Sequence, residues 1–505
     1  MDILEIHWAS QSSYPILTSL QFMPLLGLIV LYWFRNSQHL MKVGIVLSAI
    51  EMLITFDLYR HFDQSSVAMQ FSEQLTLLAP LSYHAAVDGM GIIFILLTGL
   101  LSFMVMVYAS IVPLERLKHL PFLVLIVESI LMSLFTTLDL LWFTLMSFIE
   151  LIILGYMLRR WATSPDRELA MARYLQFMLT GILLLCIGIA MLAWNYSHIT
   201  GNDWTFDLIL LKNVVVSSEI RSIIFFLLFY GLAIRIPLFP FHGWLPLVAE
   251  HGTVAIAPVF LVGLKVGIYA LLRFVLPLLP EAVIQWHEYI VTFAVAGVFY
   301  AAVMAMMQVN LRRLLAFAIV SHTSVLLIGL FSLNQIAFEG AILLSINFGL
   351  AISGLLFMTG FVFHRTHTML MSKMGDLFDY IPIIGITFLI SALSLVGMPG
   401  TPGFDAAHLV LEASIHRFGA LITIAAALGN VIAAGFLLWA FQQAFLSPKL
   451  GGWNKKATQR ASVPEKILAA SIITLLLITG FYSEPWLGLI ENSMQGLGDL
   501  YSQYH

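Results

Sequence analysis

Charged side chains are scarce in this sequence: Asp, Glu, Lys and Arg make up only 10% of its 505 residues. A soluble globular domain carries about 25%, so that class is excluded. Cysteine is scarcer still. Cys186 stands alone in an apolar run, which excludes internal disulfides and cysteine-ligated clusters. There is no Walker loop, no dinucleotide fingerprint and no haem or cluster motif, so the chain brings no visible redox, hydrolytic or nucleotide chemistry and no cofactor. The spacing of its histidines brings no two onto one helical face near His242 and His251, so no metal site is expected. A net charge of -4 gives no reason to expect a nucleic-acid partner. The first residues, Met1-Asp-Ile-Leu-Glu-Ile-His7, have no basic n-region, and no cleavable signal peptide is read there.

What the sequence has in abundance is apolar length. Hydrophobic residues make up 60% of it, and the mean hydropathy is +0.94. Runs of 18 or more apolar residues recur from end to end and predict an all-α polytopic membrane protein set in a lipid bilayer. About fourteen spans are expected, among them 138–158, 220–244, 253–277, 311–332, 337–364 and 380–415. Residues 59–87 and 196–219 are polar enough for surface loops, and 448–464 reads as a basic linker containing Gly451, Gly452 and Pro464.

Charge predicts the orientation. Of the 24 Lys and Arg residues, 17 fall in one set of alternate loops, from Arg35 and Lys42 through Arg116 to Lys449, Lys455, Lys456 and Lys466. Five fall in the other set: Arg60, Lys212, Arg221, Arg273 and Arg417. The remaining two, Arg235 and Lys265, lie inside spans. The positive-inside rule makes the first side cytoplasmic and sends both termini outward, in a bacterial inner membrane.

Two expected spans are interrupted. Pro237-Leu-Phe-Pro240 breaks the seventh and Pro399-Gly-Thr-Pro-Gly403 the twelfth, five spans later. Interrupted helices at matching points predict two inverted five-helix repeats with a transport site at the breaks. Pro and Gly in membrane helices also serve packing alone, and that reading stays open. The expected organisation is 1–115 for the first three helices, 116–280 and 281–447 for the repeats, and 448–505 for the linker and last helix.

Several titratable groups lie within or beside the spans. Glu150 is a lone carboxylate in an apolar run, which calls for a cation across the bundle; Arg235 and Lys265 are its candidate partners. A static pair that merely joins helices is the alternative. Lys265 lies between small neighbours, Gly263 and Gly267, and a desolvated lysine can take up and release a proton. Arg235 cannot, because guanidinium stays protonated, so it is expected to tune the local field. His322 lies mid-span and suits a proton relay. Asp405, His408 and Glu412 follow the second break on one helical face. His242, Glu250 and His251 flank the first break and are candidates for an entrance.

Val87-Asp-Gly89, Phe239-Pro-Phe-His-Gly-Trp-Leu-Pro246, Leu264-Lys265-Val-Gly-Ile-Tyr269, Leu311-Arg-Arg-Leu-Leu-Ala-Phe-Ala-Ile-Val-Ser-His322 and Met398-Pro-Gly-Thr401 keep a familiar order and spacing. They resemble the antiporter-like membrane subunits of the respiratory complex I and Mrp antiporter superfamily, most of all the subunit M (chain 4) type, over about residues 15–485. The resemblance implies broken helices seven and twelve and a proton path through buried charges. Glu150, Lys265 and His322 match the family's glutamate, lysine and histidine of helices five, eight and ten. Arg235 stands where the family has a lysine.

Departures lie elsewhere. Phe348 replaces a histidine of the eleventh helix, and Ala407 a glutamate or lysine of the twelfth. After Pro246 the chain reads Leu-Val-Ala249 in place of Asp-Ala-His. The leading expectation is a proton-translocating subunit of an NADH:quinone oxidoreductase-like assembly, with other membrane subunits and a cytoplasmic catalytic subunit as partners. The membrane partner of an inorganic-carbon (CO2 or bicarbonate) uptake complex is a second reading. A non-conducting structural scaffold is a third.

Overall fold

In a bilayer every backbone N–H and C=O must find an internal partner, and apolar runs do so as helices. The structure, a computed structural model, describes residues 4–78, 81–112, 117–161, 166–252, 257–448 and 460–503 and is mostly helical. Arg116, Lys449, Gly451, Gly452, Lys455 and Lys456 lie outside the described residues.

The chain opens with strand β1 (Glu5–His7), then α1 (Ile16–Phe34) and α2 (Leu40–His61). A hairpin of β2 (Met69–Leu78) and β3 (Leu81–Val87) leads into α3 (Gly89–Ile111), α4 (Leu120–Thr136), α5 (Leu140–Trp161) and α6 (Arg167–Thr200). Short α7 (Leu208–Lys212) precedes α8 (Arg221–Arg235), α9 (Trp244–His251) and α10 (Ala257–Ala270). A π-turn at Leu271–Val275 joins α10 to α11 (Leu276–Leu278) and α12 (Pro280–Met306). Then come α13 (Leu311–Leu330), α14 (Gln335–Thr366), α15 (Pro382–Val396), α16 (Pro402–Phe418), α17 (Ala420–Phe441), α18 (Val463–Phe481) and α19 (Glu484–Ser502).

Among the described residues nine helices are long and apolar enough to cross a membrane, and α4 and α15 are shorter apolar helices. The spans expected at 220–244 and 380–415 are each split, between α8 and α9 and between α15 and α16. The apolar windows of α13 and α14 are 94% buried, whereas those of α17 and α18 are 28% buried. The first two therefore run through the middle of the bundle and the last two along its outside.

Both interruptions re-satisfy the backbone groups they free. At the first, Trp244 Nε1 donates to the Ile234 carbonyl at 3.0 Å, and the Leu238 N–H reaches Ala233 O at 3.0 Å. The Phe239–Pro240 bond is cis. At the second, α15 ends on Gly397, whose φ of 87° suits glycine alone. Asn347 of α14 donates to Ser394 O at 3.1 Å and accepts from the Ser394 hydroxyl at 2.7 Å.

The expectation of an all-α chain needs one correction. Within the loop expected at 59–87, Met69–Leu78 and Leu81–Val87 pair as a hairpin, and β1 joins it in parallel with Glu5 opposite Met69. Its polar residues are turned inward. His84 bonds Glu5 at 2.7 Å through Nε2 and Asp207, the N-cap of α7, through Nδ1. Burial works against the charged imidazole, yet the two carboxylates outweigh it and hold its pKa at about 9. A single histidine thus ties the chain's start, the hairpin and the segment before α8 together. The amphipathic α19 is a second addition; it lies across the ends of α3 and α14.

Candidate functional site

Glu150 sits mid-way along α5 and is 1% exposed. Arg235, the last residue of α8, reaches it because the helix ends there and releases the side chain sideways. One guanidinium nitrogen bonds Glu150 Oε2. The Arg235 Nε donates to the Gly263 carbonyl at 2.8 Å. Of the two cations the sequence offered as partners, Arg235 is the one in contact.

The second carboxylate oxygen of Glu150 has no hydrogen-bond partner. It faces a cavity of about 30 Å³ lined by Ser147, Tyr174, Arg235, Trp244 and Gly263, enough for a water molecule. Gly263 is required by this approach, since a Cβ there would stand 2.5 Å from Glu150 Oε1.

Lys265, two residues on, is 2% exposed. Its ammonium rests 3.5 Å from the centroid of the Phe348 ring on α14. His322 on α13 is within electrostatic reach of Lys265, is 2% exposed, and its Nε2 has no partner. Glu150, Arg235, Lys265 and His322 thus come from α5, α8, α10 and α13, and all lie inside the bundle.

The entrance candidates divide. His242 is buried, with its ring against Tyr300 and Phe317 and Nδ1 unpartnered. Glu250 binds Arg313 at 3.2 Å, where α9 meets the first turn of α13, and His251 closes α9 half-buried. Arg312 holds the same corner through the Gly252 carbonyl at 2.8 Å.

Asp405, His408 and Glu412 share one face of α16, but that face points outward. His408 and Glu412 are 70% and 40% exposed, with 3.7 Å between their charged atoms. They do not join the interior cluster.

Sequence reasoning passed over several groups. Asp88 and Arg273 make a buried pair at 2.5 Å, and Arg273 Nε also donates to the Tyr269 hydroxyl at 3.2 Å. In the sequence Asp88 stands in the Val87-Asp-Gly89 motif without a role, and Arg273 counts only among the cations of the outer loops. Glu51 and Glu128 are buried carboxyls on α2 and α4, Glu51 with no hydrogen-bond partner and Glu128 with only the Ser102 hydroxyl. The criterion that singled out Glu150, one carboxylate in an apolar run, would have found both. Among the described residues no group of three or more His, Cys, Asp or Glu side chains could hold a metal ion.

Residues 137–433 match the family described as NADH:quinone oxidoreductase/Mrp antiporter, TM. The NADH-ubiquinone oxidoreductase chain 4 of Chondrus crispus is 32% identical over 498 residues, spanning 96% of this chain and 98% of its own. The NADH-quinone oxidoreductase subunit M of Rickettsia prowazekii (strain Madrid E) is 27% identical over 494 residues, with 96% and 98% covered. A chain of respiratory complex I from Thermus thermophilus with bound NADH is 25% identical and superposes with a TM-score of 0.84, over 96% of this chain and 99% of that one.

Proposed function

The chain belongs to the NADH:quinone oxidoreductase/Mrp antiporter membrane family, and from that premise we propose that it translocates protons. It is a multi-pass, antiporter-like subunit of complex I/Mrp-type assemblies, whose partners are other membrane subunits. One observation carries the proton reading: the Glu150–Arg235 pair is bonded to the backbone two residues before Lys265, which lies within electrostatic reach of His322 and its unpartnered Nε2. A proton arriving on Glu150 cancels the charge that holds Arg235. Arg235 cannot lose its own proton, so its freed field acts on Lys265, which gives one up. His242, Glu250 and His251 stand on the side from which Glu150 is filled.

The larger organisation belongs to the same proposal. About fourteen spans divide into 1–115, inverted repeats 116–280 and 281–447, and 448–505, with the breaks of α8–α9 and α15–α16 at equivalent points. The side bearing Arg313 and Arg365 faces the cytoplasm and both termini face outward, in a bacterial inner membrane. The ion pairs support that sorting: Arg313–Glu250 and Arg365–Glu465 stay on one expected side, Arg273–Asp88 and Arg221–Glu281 on the other. A cytoplasmic catalytic subunit supplies the driving reaction, since this chain carries no motif for one. Asp405, His408 and Glu412 serve only a path between this chain and a neighbour, because their face points outward.

A scaffold that no longer conducts is a second reading, favoured by Phe348 beneath Lys265. The inorganic-carbon reading draws nothing from the relatives named above, which are respiratory. The test is proton uptake by the whole assembly in vesicles with Lys265→Ala and with Glu150→Gln. Loss of uptake in fully assembled complexes is expected; wild-type uptake in both leaves the scaffold.

A further inference from the structure

Lys265 needs somewhere to send its proton, and the side towards α14 offers a phenyl ring. Along its own helix the situation differs. Lys265 and Tyr269 stand at i and i+4, about 6 Å apart along one face of α10, and Arg273 follows in the π-turn. All three are buried. The Tyr269 hydroxyl donates to the Phe135 carbonyl at 3.0 Å and accepts from Arg273 Nε at 3.2 Å. Arg273 in turn holds Asp88 at 2.5 Å. Arg273 is turned inward by the π-turn at Leu271–Val275, a local widening that recurs at functional sites.

Beyond this pair lies open space. A cavity of about 300 Å³ is lined by Asp88, Arg273, Lys212, Met69, Ser493 and Met494. Its roof is α19: the Ser493 hydroxyl accepts from the Gly89 N–H at 2.8 Å, and Tyr501 donates to the Leu276 carbonyl at 2.9 Å. The charged groups facing it are Asp88, Arg273, Lys212 and Asp499, from α3, the π-turn, α7 and α19.

We propose that Tyr269, Asp88 and this cavity form a proton outlet running directly from Lys265 to the far side, with Arg273 as its gate. The outlet rests on the proton-path reading above. A proton leaves Lys265 Nζ and is taken by the Tyr269 oxygen; that hydroxyl, once Arg273 has moved aside, turns from the Phe135 carbonyl it now bonds and passes its own proton to the Asp88 carboxylate. Asp88 then delivers it to solvent in the cavity; only N–H and O–H bonds change, and no electron moves. Asp88 can accept only when Arg273 swings off it, and the fixed positive charge of Arg273 opposes return. A purely structural ion pair would need neither the tyrosine on its inner side nor the cavity on its outer side. The arrangement also supplies what the second half lacks, since Phe348 and Ala407 offer no proton acceptor.

The experiment compares proton uptake per turnover in vesicles of the intact assembly for Tyr269→Phe, Asp88→Asn and Lys265→Ala, with assembly checked by subunit co-purification. Tyr269→Phe removes one oxygen and keeps the ring, so it stands where Asp88→Asn fails to assemble. Uptake in Tyr269→Phe is expected to fall to the level of Lys265→Ala. Wild-type uptake in Tyr269→Phe with loss in Lys265→Ala overturns the outlet. Loss in Lys265→Ala and in Asp405→Asn with His408→Ala, with wild-type uptake in Tyr269→Phe, does the same and moves the exit to α16. Wild-type uptake in Lys265→Ala instead overturns the proton-path reading itself.

Discussion

The Lys265 ammonium lies 3.5 Å from the centroid of the Phe348 ring, deep between α10 and α14. The ring face attracts a cation, yet it has no lone pair to receive a proton. On that side Lys265 therefore has a charge-holding contact and no proton acceptor. Lys265 is kept in place by the residue that cannot relieve it.

That contact is expected to be worth about 2 kcal/mol, as for desolvated cation–π pairs. Phe348→Leu keeps the site apolar and deletes the ring face, and the cycle cancels the cost of the lost volume. A double-mutant cycle with Lys265→Met, read by thermal unfolding of the purified assembly, isolates the coupling. Additive effects within about 0.5 kcal/mol show that the ring merely packs there.

Glu150 and Arg235 are expected to be far more sensitive singly than together. Removing one partner of a buried pair costs about 3–5 kcal/mol because the other charge is stranded. Arg235→Gln should therefore destabilise more than Glu150→Gln with Arg235→Gln combined. Arg235→Lys keeps the charge and much of the function. Equal stability of the single and double variants would mean that solvent already screens the pair.

The sequence made the inner cluster legible because each member breaks an apolar run: Glu150, Arg235, Lys265 and His322 are all conspicuous in spans. The helix breaks were legible from Pro237, Pro240, Pro399 and Pro402. The hairpin was not. Gln70, Glu73 and His84 look like loop residues, and only β1, more than 60 positions earlier, turns them into an inward-facing sheet. The outlet was hidden for the same reason, since Asp88 and Arg273 are 185 residues apart. Pairing over such distances leaves no local periodicity to read.

His84 gives the fold a pH dependence with a definite sign. Its folded pKa of about 9 stands above the ordinary 6.5, which corresponds to about 3 kcal/mol. A raised value stabilises the folded state fully below about pH 6.5, and that contribution is lost as pH climbs through about 9. Melting temperature of the assembly should fall between these limits, and His84→Gln should flatten the slope. An unchanged slope in that variant places the titration elsewhere.

Glu51 and Glu128 raise the last expectation. They lie on neighbouring helices, 1% and 0% exposed; Glu51 has no hydrogen-bond partner, and Glu128 meets only the Ser102 hydroxyl. They also interact with each other electrostatically, and Ser102 on α3 faces Glu128. Buried polar atoms left unpaired cost stability, so replacing both side chains by Leu forfeits no more than the Ser102 contact. The double variant is expected to assemble as well as the parent and to melt at the same or a higher temperature, by up to about 4 kcal/mol on the scale of buried-charge replacements. Two acids buried against that gradient either serve something other than stability or are an idle cost. Glu51→Gln with Glu128→Gln preserves shape and polarity, so proton uptake in this variant separates the two accounts. Reduced uptake with an unchanged melting temperature marks the pair as a working site in the first helices. Normal uptake with a gain in stability from the Leu pair marks it as an idle cost.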